Sequence, residues 1–185
     1  MTRIEIDRLV IRNFDGDDWR DLHELIVKYQ ASGVAQYDHP WPTSEDEIEG
    51  VAAWFAGGDQ FLAVSLKTVG KVIGFVSLNP EEAEGQTVYG LGYVFNADYH
   101  GQGYAFEACK AAGEHVFNEL GADRLTVNTA EANRPSCRLA ERLGMRQVSR
   151  GKASFWKDEA GEDVEFDSLS YVIDRDMWVR QGSRG

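Results

Sequence analysis

The stretch from Tyr93 to Cys109, Tyr-Val-Phe-Asn-Ala-Asp-Tyr-His-Gly-Gln-Gly-Tyr-Ala-Phe-Glu-Ala-Cys, constrains the fold most, because its apolar pattern changes period across one pair of glycines. Thr87 to Phe95 reads as a strand and Asn96 to Gln102 as a loop. Gly103 to about Leu120 reads as a helix carrying Ala105, Ala108, Cys109, Ala112 and Val116 on one face. Gly101 and Gly103 remove side chains where the backbone must turn sharply and come close to a ligand. The amides of the first helical turn have no intrahelical partners and lie at the positive end of the macrodipole, so a phosphate or pyrophosphate is a natural occupant. Arg124 to Thr129 then reads as a short strand with Leu125 and Val127 inward. Strand, loop, helix and strand make a βαβ unit, whose two strands run parallel and bind ligands near their C-terminal ends.

The remaining chain builds around this unit. Ile4 to Ile11 gives an imperfect alternation that predicts one opening strand, with Arg3, Arg8 and Arg12 outward. Asp15 and Asp17 offer N-caps to a helix from about Asp18 to Tyr29, with Trp19, Leu22, Leu25, Ile26 and Tyr29 inward. Gln30 to Pro42 is a loop rich in aromatic and polar groups, including Tyr37, Asp38, His39 and Trp41. A capping-box pattern at Thr43-Ser44-Glu45-Asp46-Glu47 launches a second helix through Ile48, Val51, Ala52 and Phe55, ended by Gly57-Gly58. Phe61–Leu66, Val72–Leu78 and the Thr87 strand predict an antiparallel meander, with a longer turn from Asn79-Pro80 to Gly85. Asn133-Arg134-Pro135 opens another helix with Leu139, Ala140 and Leu143 inward, and Gly144 ends it. Met145 to Trp156 and Val164 to Ile173 form a closing hairpin around Asp158-Glu-Ala-Gly161. The expected fold class is α+β: a mixed, mostly antiparallel sheet of about seven strands with a central βαβ unit and flanking helices.

A chain of 185 residues with 43% apolar composition suits one continuous core. A single domain over residues 1–180 is expected, with 181–185 as a frayed tail. There is no run of about 18 apolar residues and no signal-like h-region at the N-terminus, so a soluble cytoplasmic protein without membrane contact is expected. Cys109 and Cys137 lack Cys-x-x-Cys spacing and fit small buried hydrophobes. The four histidines, His23, His39, His100 and His115, are scattered, so no metal site is expected. A net charge of −12 with no basic stripe argues against nucleic acid as a partner and is compatible with a cationic substrate. A dinucleotide fingerprint would need a third glycine where Phe106 stands.

Three stretches together resemble the GNAT family of acyl-CoA-dependent N-acetyltransferases, with the pattern of its RimJ/RimL-type branch. They are Leu91-Gly-Tyr-Val-Phe95 followed by His100-Gly-Gln-Gly-Tyr-Ala105, then Asn133-Arg-Pro-Ser136-Cys-Arg138 with Leu143-Gly144-Met145, and the opening Arg8-Leu-Val-Ile-Arg12. The first is similar to the family's pyrophosphate loop, Gln/Arg-x-x-Gly-x-Gly/Ala. The order of elements matches over about residues 3–174. The sequence departs from the family at His100, where Gln or Arg is usual, at Met145, where Phe is common, and at Ala140, where many relatives carry a tyrosine acid.

The resemblance implies acetyl-CoA as co-substrate, lying where the Thr87 and Arg124 strands splay apart, and direct transfer of its acetyl group to a primary amine of a protein, a peptide or a small molecule. Backbone groups of Tyr93, Val94 and Phe95 would pair with pantetheine as an added strand does. His100, Gly101, Gln102, Gly103, Tyr104 and Ala105 would hold the pyrophosphate. Ser136 is the candidate near the leaving sulfur, and its competing role is a bond within the first helical turn. Asn133 serves the cofactor site or only caps the helix; Arg138 reaches a CoA phosphate or stays solvated. No general base stands out among Asp38, His39 and Tyr93 acting through water. An α-amine, with an ordinary pKa near 8, is neutral far more often at pH 7 than a lysine amine near 10.4, so a missing base favours a low-pKa acceptor. Tyr37, Asp38 and Trp41, with the Trp156 hairpin, are the candidates for the acceptor pocket; Trp41, bracketed by Pro40 and Pro42, equally suits a core anchor. The protein is expected to act as a monomer or homodimer. The alternative reading is a non-catalytic acyl-CoA-binding sensor or interaction module of the same fold.

Overall fold

The computed structural model describes residues 1–182. Its opening residues fold as two strands where the sequence predicts one. β1 (Arg3–Glu5) and β2 (Leu9–Asn13) pair antiparallel around Asp7 and Arg8, and the Ile6 amide donates to the Leu9 carbonyl at 3.1 Å. Neither Asp7 nor Arg8 has a positive φ, so the turn needs no glycine and leaves no glycine signal. A short 3-10 turn, Gly16–Asp18, is capped by Asp15 and leads into α1 (Trp19–Gln30); the loop after it holds a second such turn at Ala35–Tyr37. α2 (Glu45–Ala56) starts at Ser44 as expected, but the capping box closes differently: the Ser44 hydroxyl bonds the Glu47 carboxylate and makes no bond to the backbone.

β3 (Phe61–Leu66), β4 (Val72–Glu81) and β5 (Val88–Phe95) form the expected antiparallel meander. β4 runs through Asn79-Pro80, where a turn is predicted, and pairs Pro80 with Tyr89. The Leu78 amide donates to the Gln60 carbonyl, so by alternation the nitrogen of Pro80 also faces the β3 side, where β3 has already ended. A missing N–H costs nothing there. A third 3-10 turn, Ala97–Tyr99, connects β5 to the glycine loop.

α3 (Tyr104–Asn118) returns the chain to β6 (Arg124–Ala130), which lies parallel to β5. α4 (Arg134–Arg142) is followed by the long hairpin β7 (Arg146–Lys157) and β8 (Asp163–Asp174), with β8 against β6. The sheet among the described residues thus has eight strands in the order β1-β2-β3-β4-β5-β6-β8-β7. A last helix, α5 (Arg175–Gly182), was not predicted. It seats Trp178 against Phe117 and over Gly113, where a Cβ would overlap the indole ring. Gln181 and Gly182, expected in a frayed tail, belong to α5, and the Gln181 amide donates to the Gly144 carbonyl; residues 183–185 lie outside the described residues.

Two apolar layers sandwich the sheet. One joins α3 and α4 to Leu91, Phe95, Leu125, Val127 and Tyr171; the other joins α1 and α2 to Phe14, Ala63, Phe75 and Val94. Cys109 is buried in the first, and burial pushes its thiol far above the ordinary range, as suits a packing residue; Cys137 is buried there too. No described helix is long and apolar enough to cross a membrane.

What positions the site is the failure of β5 and β6 to stay together. They pair only from Val88 with Arg124 to Gly90 with Thr126. Beyond that point β5 keeps β4 on one side and has no strand on the other.

Candidate active site

The vacated edge of β5 exposes backbone hydrogen-bonding groups. The Asn96 amide donates to the Ile73 carbonyl across β4, so strand alternation turns the peptide groups of Leu91, Tyr93 and Phe95 toward the side that β6 has left. Such an edge accepts an extended chain with amide groups, as pantetheine is. The Phe95 carbonyl already accepts a bond from the His100 ring nitrogen Nε2 at 2.9 Å, which ties the end of β5 to the start of the glycine loop. The departure at His100 therefore has a local use, in which the side chain holds the loop.

In that loop Gly101 and Gly103 have φ of 74° and 86°, the left-handed region that other residues enter at a cost of about 1–2 kcal/mol. Gly103 is the N-cap of α3, so Gln102, Tyr104 and Ala105 follow a path that opens the helix with its first amides unclaimed by any side-chain cap. Arg8 braces it from the β1–β2 turn. Its Nη2 donates to the Gln102 carbonyl at 2.8 Å, its Nε donates to Glu107 at 3.2 Å, and the guanidinium lies 4.2 Å from the centre of the Tyr104 ring. This brace was missed in the sequence reading, because Arg8 and Glu107 are far apart in the chain.

On the α3–α4 side of the sheet, the Tyr93 hydroxyl meets the Ser136 Oγ at 2.7 Å. Asn133 caps α4, its Oδ1 accepting the Ser136 amide at 3.3 Å, while the serine hydroxyl turns to Tyr93. Ser136 is 8% exposed. Burial pushes the Tyr93 phenol well above its ordinary value, which keeps it protonated at neutral pH and suits a proton donor better than a base. Arg138 is exposed and makes no side-chain hydrogen bond or ion pair among the described residues.

The acceptor candidates come from the other side. The Asp38 carboxylate accepts from the Tyr29 hydroxyl at 2.8 Å and from the His39 amide at 2.8 Å. Burial first, and then the Asp38 charge, push the Tyr29 phenol up, so it remains a donor to the carboxylate. The Trp156 indole donates to the Asp38 carbonyl at 2.8 Å and ties the loop to the β7–β8 hairpin. Trp41 packs its ring against Phe55 and Phe75, as a core anchor does, and also lines the cavity.

A cavity of about 870 Å³ joins the two sides. Tyr93, Asn133 and Ser136 line it from the α4 side, and Tyr37, Asp38 and Trp41 from the loop. Phe155 and Phe166 of the hairpin, whose particular positions the sequence reading did not single out, complete the wall. The cavity passes through the plane of the sheet where β5 and β6 part. Val94 lines it from the α1–α2 face, whereas residues 100–105 and Arg138 lie outside its lining. No group of three or more His, Cys, Asp or Glu placed to hold a metal occurs among the described residues.

The sequence model of a family described as "Acetyltransferase (GNAT) domain" matches residues 8–146. The chain is 30% identical to a protein named "Uncharacterized N-acetyltransferase YnaD" from Bacillus subtilis (strain 168), over 95% of this chain and 98% of that one. Its fold is similar to a GNAT-family acetyltransferase from Bacillus anthracis, with a TM-score of 0.79 and 27% identity over 95% of this chain and 99% of that one. It also shares its fold with RimL, described as a ribosomal L7/L12 alpha-N-protein acetyltransferase in complex with coenzyme A, at a TM-score of 0.74 and 20% identity over 94% of this chain and 98% of that one.

Proposed function

The chain belongs to the GNAT acetyltransferase family and is an acyl-CoA-dependent acyltransferase; from that premise we propose that it moves an acetyl group from acetyl-CoA directly to a primary amine, in the manner of the RimJ/RimL-type branch. The observation that carries this reading is the 2.7 Å contact between the Tyr93 and Ser136 hydroxyls inside a cavity that also reaches Asp38. The protein's residues fit the co-substrate: an unpaired β5 edge for pantetheine amides, and left-handed glycines before an uncapped helix start for a pyrophosphate. When bound, acetyl-CoA supplies the acetyl group as a thioester.

The chain's own residues then have separable roles. Gly101 to Ala105 bind the anionic end, and Arg8 keeps the loop in shape. The Phe95 amide, on the vacated edge, is a donor for the carbonyl oxygen. The Tyr93–Ser136 pair presents a hydroxyl proton to the departing sulfur, which leaves more readily as a thiol than as a thiolate. Asp38 attracts the ammonium form of the acceptor, held in place by Tyr29. With no dedicated base on the wall, the ammonium loses its proton to water before attack. A cytoplasmic setting accords with the absence, among the described residues, of a membrane-length apolar helix.

Release of free thiol from acetyl-CoA, followed with a panel of primary amines, tests the reading. Amine-dependent thiol release is expected, with Ser136→Ala lowering kcat about tenfold or more and leaving the Kd for acetyl-CoA unchanged. Binding of CoA without thiol release for any amine would support a sensor instead.

A further inference from the structure

Resting on the acetyl-transfer reading, we propose that the acceptor is a small lipophilic primary amine, with an aromatic or similarly flat apolar body and no carboxylate. The acceptor end of the cavity is walled by rings from two separate elements. Tyr37 of the loop meets Phe166 of the hairpin with centroids 5.4 Å apart, His39 meets Phe155 at 4.2 Å, and Phe155 meets Phe166 at 5.7 Å. Phe155 is 40% exposed although it lies on the cavity wall and takes no part in either buried core. A phenyl ring held open on the same cavity wall as Asp38 is poorly used by packing alone, and an apolar ligand body would cover it.

The charges on the wall exclude other acceptor classes. Among the described residues, Asp38 is the only acidic one lining the cavity, and neither lysine nor arginine lines it. One carboxylate matches one ammonium. A polyamine would bring second and third ammonium groups without carboxylate partners, and an amino acid would bring a carboxylate beside Asp38 with no lysine or arginine among the described lining residues to pair it; both carry a desolvation penalty. A peptide would bring a run of amide groups against the rings of Tyr37, His39, Phe155 and Phe166. The Trp156 bond to the Asp38 carbonyl and the ring contacts between loop and hairpin hold these rings in place around the acceptor end. The net charge of −12 favours encounter with a cation.

In the reaction the amine nitrogen forms a bond to the acetyl carbon as the carbon–sulfur bond breaks. The nitrogen gives up one proton, the sulfur gains one, and the products are an N-acetyl amide and CoA thiol.

The test compares 2-phenylethylamine, ethylamine, phenylalanine, spermidine and an alanyl tripeptide as acceptors for the full chain with acetyl-CoA. The expected kcat/KM for 2-phenylethylamine exceeds those for phenylalanine, spermidine and the tripeptide by at least a hundredfold. Phe155→Ala is expected to raise the KM for 2-phenylethylamine about tenfold and to leave that for ethylamine within twofold, while Phe155→Tyr retains the preference. Faster turnover of phenylalanine, spermidine or the tripeptide overturns the proposal and leaves acetyl transfer standing. A Phe155→Ala protein that loses both amines equally also overturns it. Thiol release with none of the amines, in a protein that binds CoA, overturns the acetyl-transfer reading itself, and the proposal with it.

Discussion

Asp38 sits where one oxygen of its carboxylate accepts a phenol proton and the other accepts a backbone amide, both at 2.8 Å. Those bonds fix the carboxylate while leaving lone pairs toward the cavity, since a carboxylate has about four acceptor positions. Asp38→Asn keeps an oxygen for Tyr29 and removes the charge. The acceptor KM is then expected to rise about tenfold, with the acetyl-CoA KM unchanged and stability within about 1 kcal/mol of the parent. Steady-state kinetics and a thermal melt measure all three, and equal effects on both substrates would remove Asp38 from acceptor binding. The Asp38 position was legible in the sequence as the carboxylate in an aromatic loop. Its anchor was not, because Tyr29 reads as an inward residue of α1 and nothing local tells that its hydroxyl reaches the next loop. Phe155 and Phe166 escaped for a related reason. Strand alternation gives each a face, but which loop that face meets is a tertiary fact.

At the scale of elements, β5, the glycine loop and α3 were legible because each depends on neighbours in sequence: alternation, then left-handed glycines, then a helical stripe. The same holds for Asn133 and Ser136, whose cap is a three-residue pattern. Elements set by distant contacts were not legible. Pro80 stays in a strand because β3 ends opposite it, and α5 is held by distant partners, Trp178 at the side-chain-free Gly113 and Gln181 at the Gly144 carbonyl. Gly103→Val tests the loop directly. A valine at φ 86° is strained, and its Cβ would come into contact with the Arg8 guanidinium that braces the loop. Calorimetry is expected to show acetyl-CoA bound at least tenfold more weakly, about 1.4 kcal/mol, in a protein whose circular dichroism is unchanged. Unaltered affinity would place the anion elsewhere.

Across the whole molecule, a charged cluster ties α1 to the sheet near the site. Glu24 of α1 accepts from Lys28 at 2.8 Å, from Lys71 at 2.6 Å and from the buried Asn96 at 2.9 Å, just past β5. These bonds, that from Lys28 first, lower the Glu24 carboxyl from its ordinary 4.5 to about 2. A depressed carboxyl stabilises the folded state above its unfolded value, and the contribution is lost as pH falls from about 4.5 toward 2. With the side chain 37% exposed, screening leaves about 1 kcal/mol. Glu24→Gln is accordingly expected to flatten the acid side of the stability curve in that window, as read by denaturant unfolding at stepped pH; identical curves would show that the cluster contributes nothing there.

The through-sheet cavity has a kinetic consequence of its own. If the β5–β6 gap brings acetyl donor and amine together from opposite faces, both must be bound before any product leaves. Initial rates of CoA thiol formation, with acetyl-CoA and the best amine acceptor both varied, are expected to give intersecting double-reciprocal lines. Parallel lines, the signature of an acetylated enzyme formed before the amine binds, would contradict direct transfer at Tyr93 and Ser136.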